Sequence, residues 1–290
     1  MNLLEMIKNS DKPLLIDGGM GTQLHELGAP MGGTACLTHP ETVLAVHKSY
    51  VEQGVQLLIT NTLTMNRVHI EFTELGVDVR EVNLAGARLA RQAATGGQFV
   101  LGDISSTGQI LEPFGELAPE DAYATFKEQA EILAEGGVDG FIIETMFDIN
   151  ETVLAVKACK EAADLPVIAS MTFETIRDVG RTIMGNTAAD CARALTEAGA
   201  DVVGANCGSL SPMEMAEIAA QMTAATHLPV IIQPNAGKPR LVGTDTIFDM
   251  PPEDFAEGIA ACLRNGATIV GGCCGTTPEH IRVLSEVVDK

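Results

Sequence analysis

Thr268-Ile269-Val270-Gly271-Gly272-Cys273-Cys274-Gly275 is a short apolar run that stops in glycines and two adjacent thiols. A run of that length bounded by glycine reads as a buried strand, and glycine lets the backbone bend where the thiols sit. Seven more runs of the same kind occur upstream. Leu14-Leu15-Ile16 leads into Asp17, Leu57-Leu58-Ile59-Thr60 into Asn61, Phe99-Val100-Leu101-Gly102 into Asp103, and Phe141-Ile142-Ile143 into Glu144. Val167-Ile168-Ala169-Ser170-Met171 follows. Val202-Val203-Gly204 then precedes Cys207, and Val230-Ile231-Ile232-Gln233 precedes Asn235.

Helical patterns separate these runs, at 40–52, 82–93, 119–135, 150–162, 188–198, 212–224, 252–264 and 278–288. Several begin at proline, which a first helical turn tolerates because its N–H groups have no partner within the helix. Strands that are apolar on both faces and alternate with helices predict a parallel sheet covered by helices, and eight such units predict a (β/α)₈ TIM barrel. A doubly wound open sheet is the competing architecture. The barrel is preferred because Asp17, Asn61, Asp103, Glu144, Cys207, Asn235, Cys273 and Cys274 all follow strands. A barrel gathers strand ends on one face, whereas an open sheet spreads them along an edge. No linker or composition shift divides the chain, so one barrel domain over residues 1–290 is expected.

Lys and Arg number 18 against 39 Asp and Glu, a formal charge of -21 that disfavours nucleic acid and acidic membrane surfaces as partners. The N-terminus lacks a signal peptide's basic start and long apolar segment, and a cytoplasmic location is expected. Seven cysteines, an odd number, then point to reduced thiols used for metal binding or catalysis rather than to a disulfide framework.

Cys207, Cys273 and Cys274 come from two strand ends beside Gly or Asn. Three thiolates there predict a zinc site with an open fourth position, as expected of a catalytic zinc. Cys36, Cys159, Cys191 and Cys262 read as small buried apolar residues. A redox pair of Cys273 and Cys274 would close a strained ring and leave Cys207 idle. With three anionic sulfurs the site carries a formal charge of -1. Such a metal is a modest Lewis acid that keeps an added thiol electron-rich, which suits alkyl transfer to sulfur. No HExxH pattern of a hydrolytic zinc is present.

Asp17 and Glu144 suit an amino-acid ammonium, and backbone N–H groups around Gly18, Gly19 and Thr62 suit its carboxylate. Helix capping or turn formation is the structural alternative for both acids. Asp103 reads as a turn cap, and Asn61 as either site-ordering or structural. The 275–280 segment, which resembles a phosphate cradle, is read instead as the start of the last helix, capped by Thr276 or Thr277. The histidines are read as surface or structural, and Arg177, Arg181 and Lys238 as loop charges.

Taken together, Asp17-Gly18-Gly19-Met20-Gly21-Thr22, Thr60-Asn61-Thr62, Ile143-Glu144-Thr145, Gly204-Ala205-Asn206-Cys207, Pro234-Asn235-Ala236-Gly237 and Gly271-Gly272-Cys273-Cys274-Gly275-Thr276-Thr277-Pro278 resemble the homocysteine S-methyltransferase family. Within it, the nearest likeness is to the homocysteine-binding module of cobalamin-dependent methionine synthase. The resemblance covers essentially the whole chain. It implies a (β/α)₈ barrel, Zn²⁺ on Cys207, Cys273 and Cys274, and a homocysteine thiol in the fourth position, with Asn235 able to offer its amide oxygen there when substrate is absent. It departs at Gly102-Asp103-Ile104-Ser105-Ser106-Thr107-Gly108, where relatives commonly carry Gly-Pro. The chain ends where the synthase would continue into folate, corrinoid and reactivation modules, so a methylcorrinoid (cobalamin) on a separate protein is the expected donor. S-methylmethionine is the alternative. Betaine is disfavoured by the absence of Trp and the presence of only two Tyr. A non-catalytic zinc or thiol redox sensor is the alternative of a different class.

Overall fold

The structure, a computed structural model, describes residues 2–176, 179–243 and 245–288. Its strands are β1 (Leu14–Leu15), β2 (Leu57–Ile59), β3 (Phe99–Ile104), β4 (Gly140–Met146), β5 (Val167–Met171), β6 (Glu174–Ile176), β7 (Val179–Arg181), β8 (Val202–Asn206), β9 (Val230–Gln233), β10 (Arg240–Val242), β11 (Asp245–Ile247) and β12 (Ile269–Val270). Eight of them form one parallel sheet in the order β1-β12-β9-β8-β5-β4-β3-β2. Its two ends meet: Ile16 bridges Leu57, Gln56 N–H donates to Leu15 O (2.9 Å), and Asp17 N–H donates to Leu57 O (3.2 Å). This closure makes the sheet a barrel and removes the open-sheet alternative.

Alternation along the strands builds two apolar layers. Leu14, Ile16, Leu57, Leu101, Ile142, Ile168, Val202, Ile231 and Ile269 fill the interior. Leu15, Leu58, Val100, Phe141, Val167, Val203, Val230 and Val270 face the helices. Period two therefore persists although both faces are apolar. The amphipathic N-terminal segment becomes the helix Leu3–Asn9, held by an Asn2–Glu5 capping box, and its Leu3 and Ile7 join the interior cluster. The outer helices form where the helical patterning placed them, with Pro119–Glu135, Ala188–Ala198, Pro252–Arg264 and Pro278–Val288 matching the predicted spans.

Insertions were less legible. The short helices Met20–Glu26, Ala35–Thr38 and Arg67–Phe72 and the β6–β7 and β10–β11 hairpins had no forecast. Arg181 lies in the β6–β7 hairpin rather than in a plain loop, Lys238 lies in the loop before β10 and donates to Glu214 Oε1 (2.8 Å), and Arg177 lies outside the described residues. The loop that departs from the family pattern is pinned from below. Buried Glu151 accepts hydrogen bonds from Ser106 Oγ (2.9 Å), Thr107 N–H (2.8 Å) and Thr107 Oγ1 (2.7 Å).

His47, in the helix Pro40–Val51, is wholly buried and neither ring nitrogen has a partner. Burial lowers its pKa from 6.5 to about 4, so the fold holds it neutral. The unfolded chain binds this proton first. The contribution is therefore complete above pH 6.5 and is lost as pH falls towards 4. About 2 kcal/mol is expected to have gone by pH 5. The buried acids described below titrate in the opposite sense, so the check is the difference between the wild-type and His47→Leu urea-unfolding free energies across this range. A difference independent of pH would refute it.

Candidate metal and substrate site

At the C-terminal ends of the barrel strands lies a cavity of about 310 Å³. Cys207 follows β8, Cys273 and Cys274 follow β12, and their three Sγ atoms lie within 4.8 Å of one another. The glycines beside them serve both bending and close approach: Gly208 and Gly275 have φ of 75° and 78°. A Cβ at Gly272 would fall 2.4 Å from Thr276 Oγ1, a hydroxyl that accepts from Gly19 N–H (2.9 Å) and donates to Cys273 O (2.7 Å). That one threonine ties the turn after β1 to the thiol turn. Tyr50 Oη lies 3.1 Å from both Gly19 O and Thr276 O and supports the same junction from behind.

Charge is crowded here. Hydrogen bonds from Cys273 and Cys274 hold Cys207 well below the ordinary thiol range, and the Cys207 thiolate in turn pushes Cys273 up and Cys274 to about 12. One proton-poor sulfur is thus shared by two thiols. All three ionise together only with a cation among them. Asn235, expected as a fourth donor, has its Nδ2 anchored on Gly208 O (2.8 Å) and its buried Oδ1 without a partner. Three soft sulfurs and one orphaned amide oxygen fit Zn²⁺. All seven cysteines are free, and the other four are buried away from this cluster.

Three carboxylates border the same cavity. Asp17 Oδ2 accepts from Ile59 N–H across the barrel seam (2.9 Å), leaving Oδ1 unpartnered. It therefore caps no helix. Asp103, at the end of β3, also has an unpartnered buried Oδ1, so it faces the site instead of capping a turn. Burial raises the pKa of Asp17 and of Asp103, and Glu144 raises both further. Burial, followed by the Cys207 charge, pushes Glu144 up to about 8. An entering ammonium would relieve this strain.

The other expected residues divide. Of the backbone donors, Thr62 N–H is already bonded to Thr60 O (3.0 Å) and Gly19 N–H to Thr276, so among the described residues Gly18 N–H alone of the three has no partner. Thr62 Oγ1 donates to Asp103 O (2.8 Å), which gives Thr62 a bracing role. Asn61 borders the cavity, but its side-chain Nδ2 donates to Gly32 O (3.0 Å) and its backbone carbonyl accepts from Cys36 Sγ (3.3 Å). Thr277, just before the last helix, pairs with His280 Nδ1 (2.9 Å), whose Nε2 reaches Met250 O. The residues underread in the sequence are Asp103, whose only signal was its place after a strand, and Asn206.

A parallel barrel with a three-cysteine cluster and buried acids at its strand ends defines a class: a barrel protein whose strand ends could hold a metal ion. The sequence profile of homocysteine S-methyltransferases matches residues 14–288, and the chain belongs to that family. Methionine synthases of Mycobacterium leprae and Mycobacterium tuberculosis are each 29% identical to it over 308 aligned positions. These alignments take in 99% of this chain and 25% of each synthase, so the chain spans about a quarter of the length of these relatives. Among solved structures, the metallated form of the Escherichia coli homocysteine methyltransferase MmuM superposes with a TM-score of 0.78 at 21% identity, covering 98% of this chain and 99% of that one. Its oxidized form gives 0.81 at 20% identity, covering 99% of each. At such identity the superpositions speak for the fold.

Proposed function

We propose that this chain is a zinc-dependent S-methyltransferase that converts homocysteine to methionine, working as one barrel module over residues 1–290 in the reducing cytoplasm. The observation that carries this reading is the cluster of Cys207, Cys273 and Cys274 Sγ atoms within 4.8 Å beside an orphaned Asn235 Oδ1. These residues would hold Zn²⁺, which, when bound, supplies the Lewis acidity that keeps a substrate thiol deprotonated near neutral pH yet nucleophilic. Asp17 and Glu144, with Asp103 behind them, would take the substrate ammonium, and Gly18 N–H its carboxylate. The buried acids accept the positive charge and hold the carbon chain so that sulfur points towards the cysteines. A new S–C bond then forms as the donor's bond to the methyl group breaks.

The methyl group is assigned to a methylcorrinoid on a separate protein. Exposed Phe114 (83%), Ile183 (66%) and Leu241 (75%) belong to segments that follow β3, β7 and β9, an apolar rim suited to a macromolecular donor. Competing donors are separated by assaying transfer from a methylated corrinoid protein, free methylcobalamin and S-methylmethionine. Efficient transfer from the last alone would replace the corrinoid with a small sulfonium donor.

The primary test is zinc-edge X-ray absorption on the reduced protein with and without homocysteine. Three sulfurs plus one oxygen or nitrogen should become four sulfurs. A sulfur count that homocysteine leaves unchanged, or protein that takes up no zinc, would remove the reading in favour of a thiol sensor or another acceptor.

A further inference from the structure

The irregular stretch of β4 that carries Glu144, where the register with β5 shifts between Ile143 and Met146, is held in a conformation its sequence resists. Thr145 has φ of 59°, a left-handed geometry that a β-branched residue rarely adopts. Asn206, wholly buried at the end of β8, holds it there. Its Oδ1 accepts from Thr145 N–H (2.8 Å) and its Nδ2 donates to Thr145 Oγ1 (2.8 Å). The same nitrogen lies 3.8 Å from Cys273 Sγ, a weak N–H···S contact, and the next residue along the chain is Cys207. From the other side, Ser105 Oγ donates to Glu144 O (2.7 Å). One amide thus touches both the end of β4 that aims a cavity carboxylate and a sulfur of the cysteine cluster.

We infer that Asn206 is a positioning residue that ties recognition of the substrate ammonium at Glu144 to capture of the thiol at the cysteines, so that thiols lacking the amino group are held more weakly. The inference rests on the function proposed above. Without the amide, nothing offsets the left-handed strain at Thr145, and the backbone relaxes towards negative φ. The Glu144 carboxylate then leaves its place, while the cysteines still hold a thiol. Glycine at 145 adopts the same φ without strain, so it substitutes for the lost amide.

The test is calorimetric titration of the zinc-loaded protein with homocysteine and with 4-mercaptobutyrate, which keeps the thiol and carboxylate but lacks the amine. The wild type should prefer homocysteine by about tenfold or more, and Asn206→Ala should cut that ratio to within about threefold, with 4-mercaptobutyrate affinity and zinc content little changed. Thr145→Gly in the Asn206→Ala background should restore most of the preference. An unchanged ratio in Asn206→Ala, or equal weakening of both ligands without rescue, overturns the inference. If Asn206→Ala alone does not fold, the double variant decides: folded and discriminating supports the coupling, whereas folded and indiscriminate, or unfolded, overturns it. A wild type that binds neither thiol instead overturns the proposed function, and this coupling with it.

Discussion

Cys273→Ser protein is expected to purify with substoichiometric zinc and to methylate homocysteine at least about a thousandfold more slowly than wild type. Cys273 supplies one of three sulfurs that crowd within 4.8 Å, and its proton already leans on the Cys207 thiolate. A serine hydroxyl stays protonated near neutral pH and is a harder donor, so one of the three soft ligands is lost. The cluster would then hold the metal through two sulfurs and Asn235. Cys191→Ala serves as the control, because Cys191 is buried in the helix Ala188–Ala198 and should leave zinc content untouched. Metal analysis and the transfer assay together read the outcome. Full zinc and a rate within about tenfold of wild type for Cys273→Ser would remove the thiol cluster from the mechanism.

Gly208→Ala should be the most disruptive single methyl group near the site, lowering unfolding free energy by about 3 kcal/mol or more. Gly208 has φ of +75°, and an added Cβ would sit 2.2 Å from Phe173 O, a backbone atom that no rotamer change can move. Strain would pass directly to its neighbours. Cys207 precedes it with φ of 57°, and Gly208 O anchors the Asn235 amide. The variant should therefore lose zinc affinity along with stability, which thermal melts with and without added zinc would read. Alanine tolerated with an unchanged melting temperature would contradict the close approach on which this rests.

The barrel itself was legible because its signal is local and repeated. A run such as Val167–Met171 is apolar throughout, and each such run is followed by a helix that starts at a cap or proline, as at Pro212–Ala225 and Pro252–Arg264. Predicted and observed elements agree where hydrophobic periodicity is long. Short insertions such as Met20–Glu26 and the β10–β11 hairpin escaped notice because their stability comes from contacts elsewhere, which leave little trace in a few residues. The departing loop shows the same limit. Ser105, Ser106 and Thr107 looked like a mere exception to a pattern until Glu151, distant in sequence, supplied three hydrogen bonds to Ser106 and Thr107.

The sequence by itself determined the architecture, the family and the residue types of the cysteine cluster, since each strand end announces its side chain through the residues just before it. Only the tertiary structure decided which groups are free to act. Closure of β1 on β2 occupies one Asp17 oxygen and leaves the other open, and the turn at Thr62 uses up an N–H that had been expected to bind a carboxylate. The same packing turns Asp103 into a cavity wall and makes Asn206 the clamp on a strained threonine. The physical reason is that a hydrogen-bonding group's availability depends on partners from distant strands. Those partners meet only when the barrel closes.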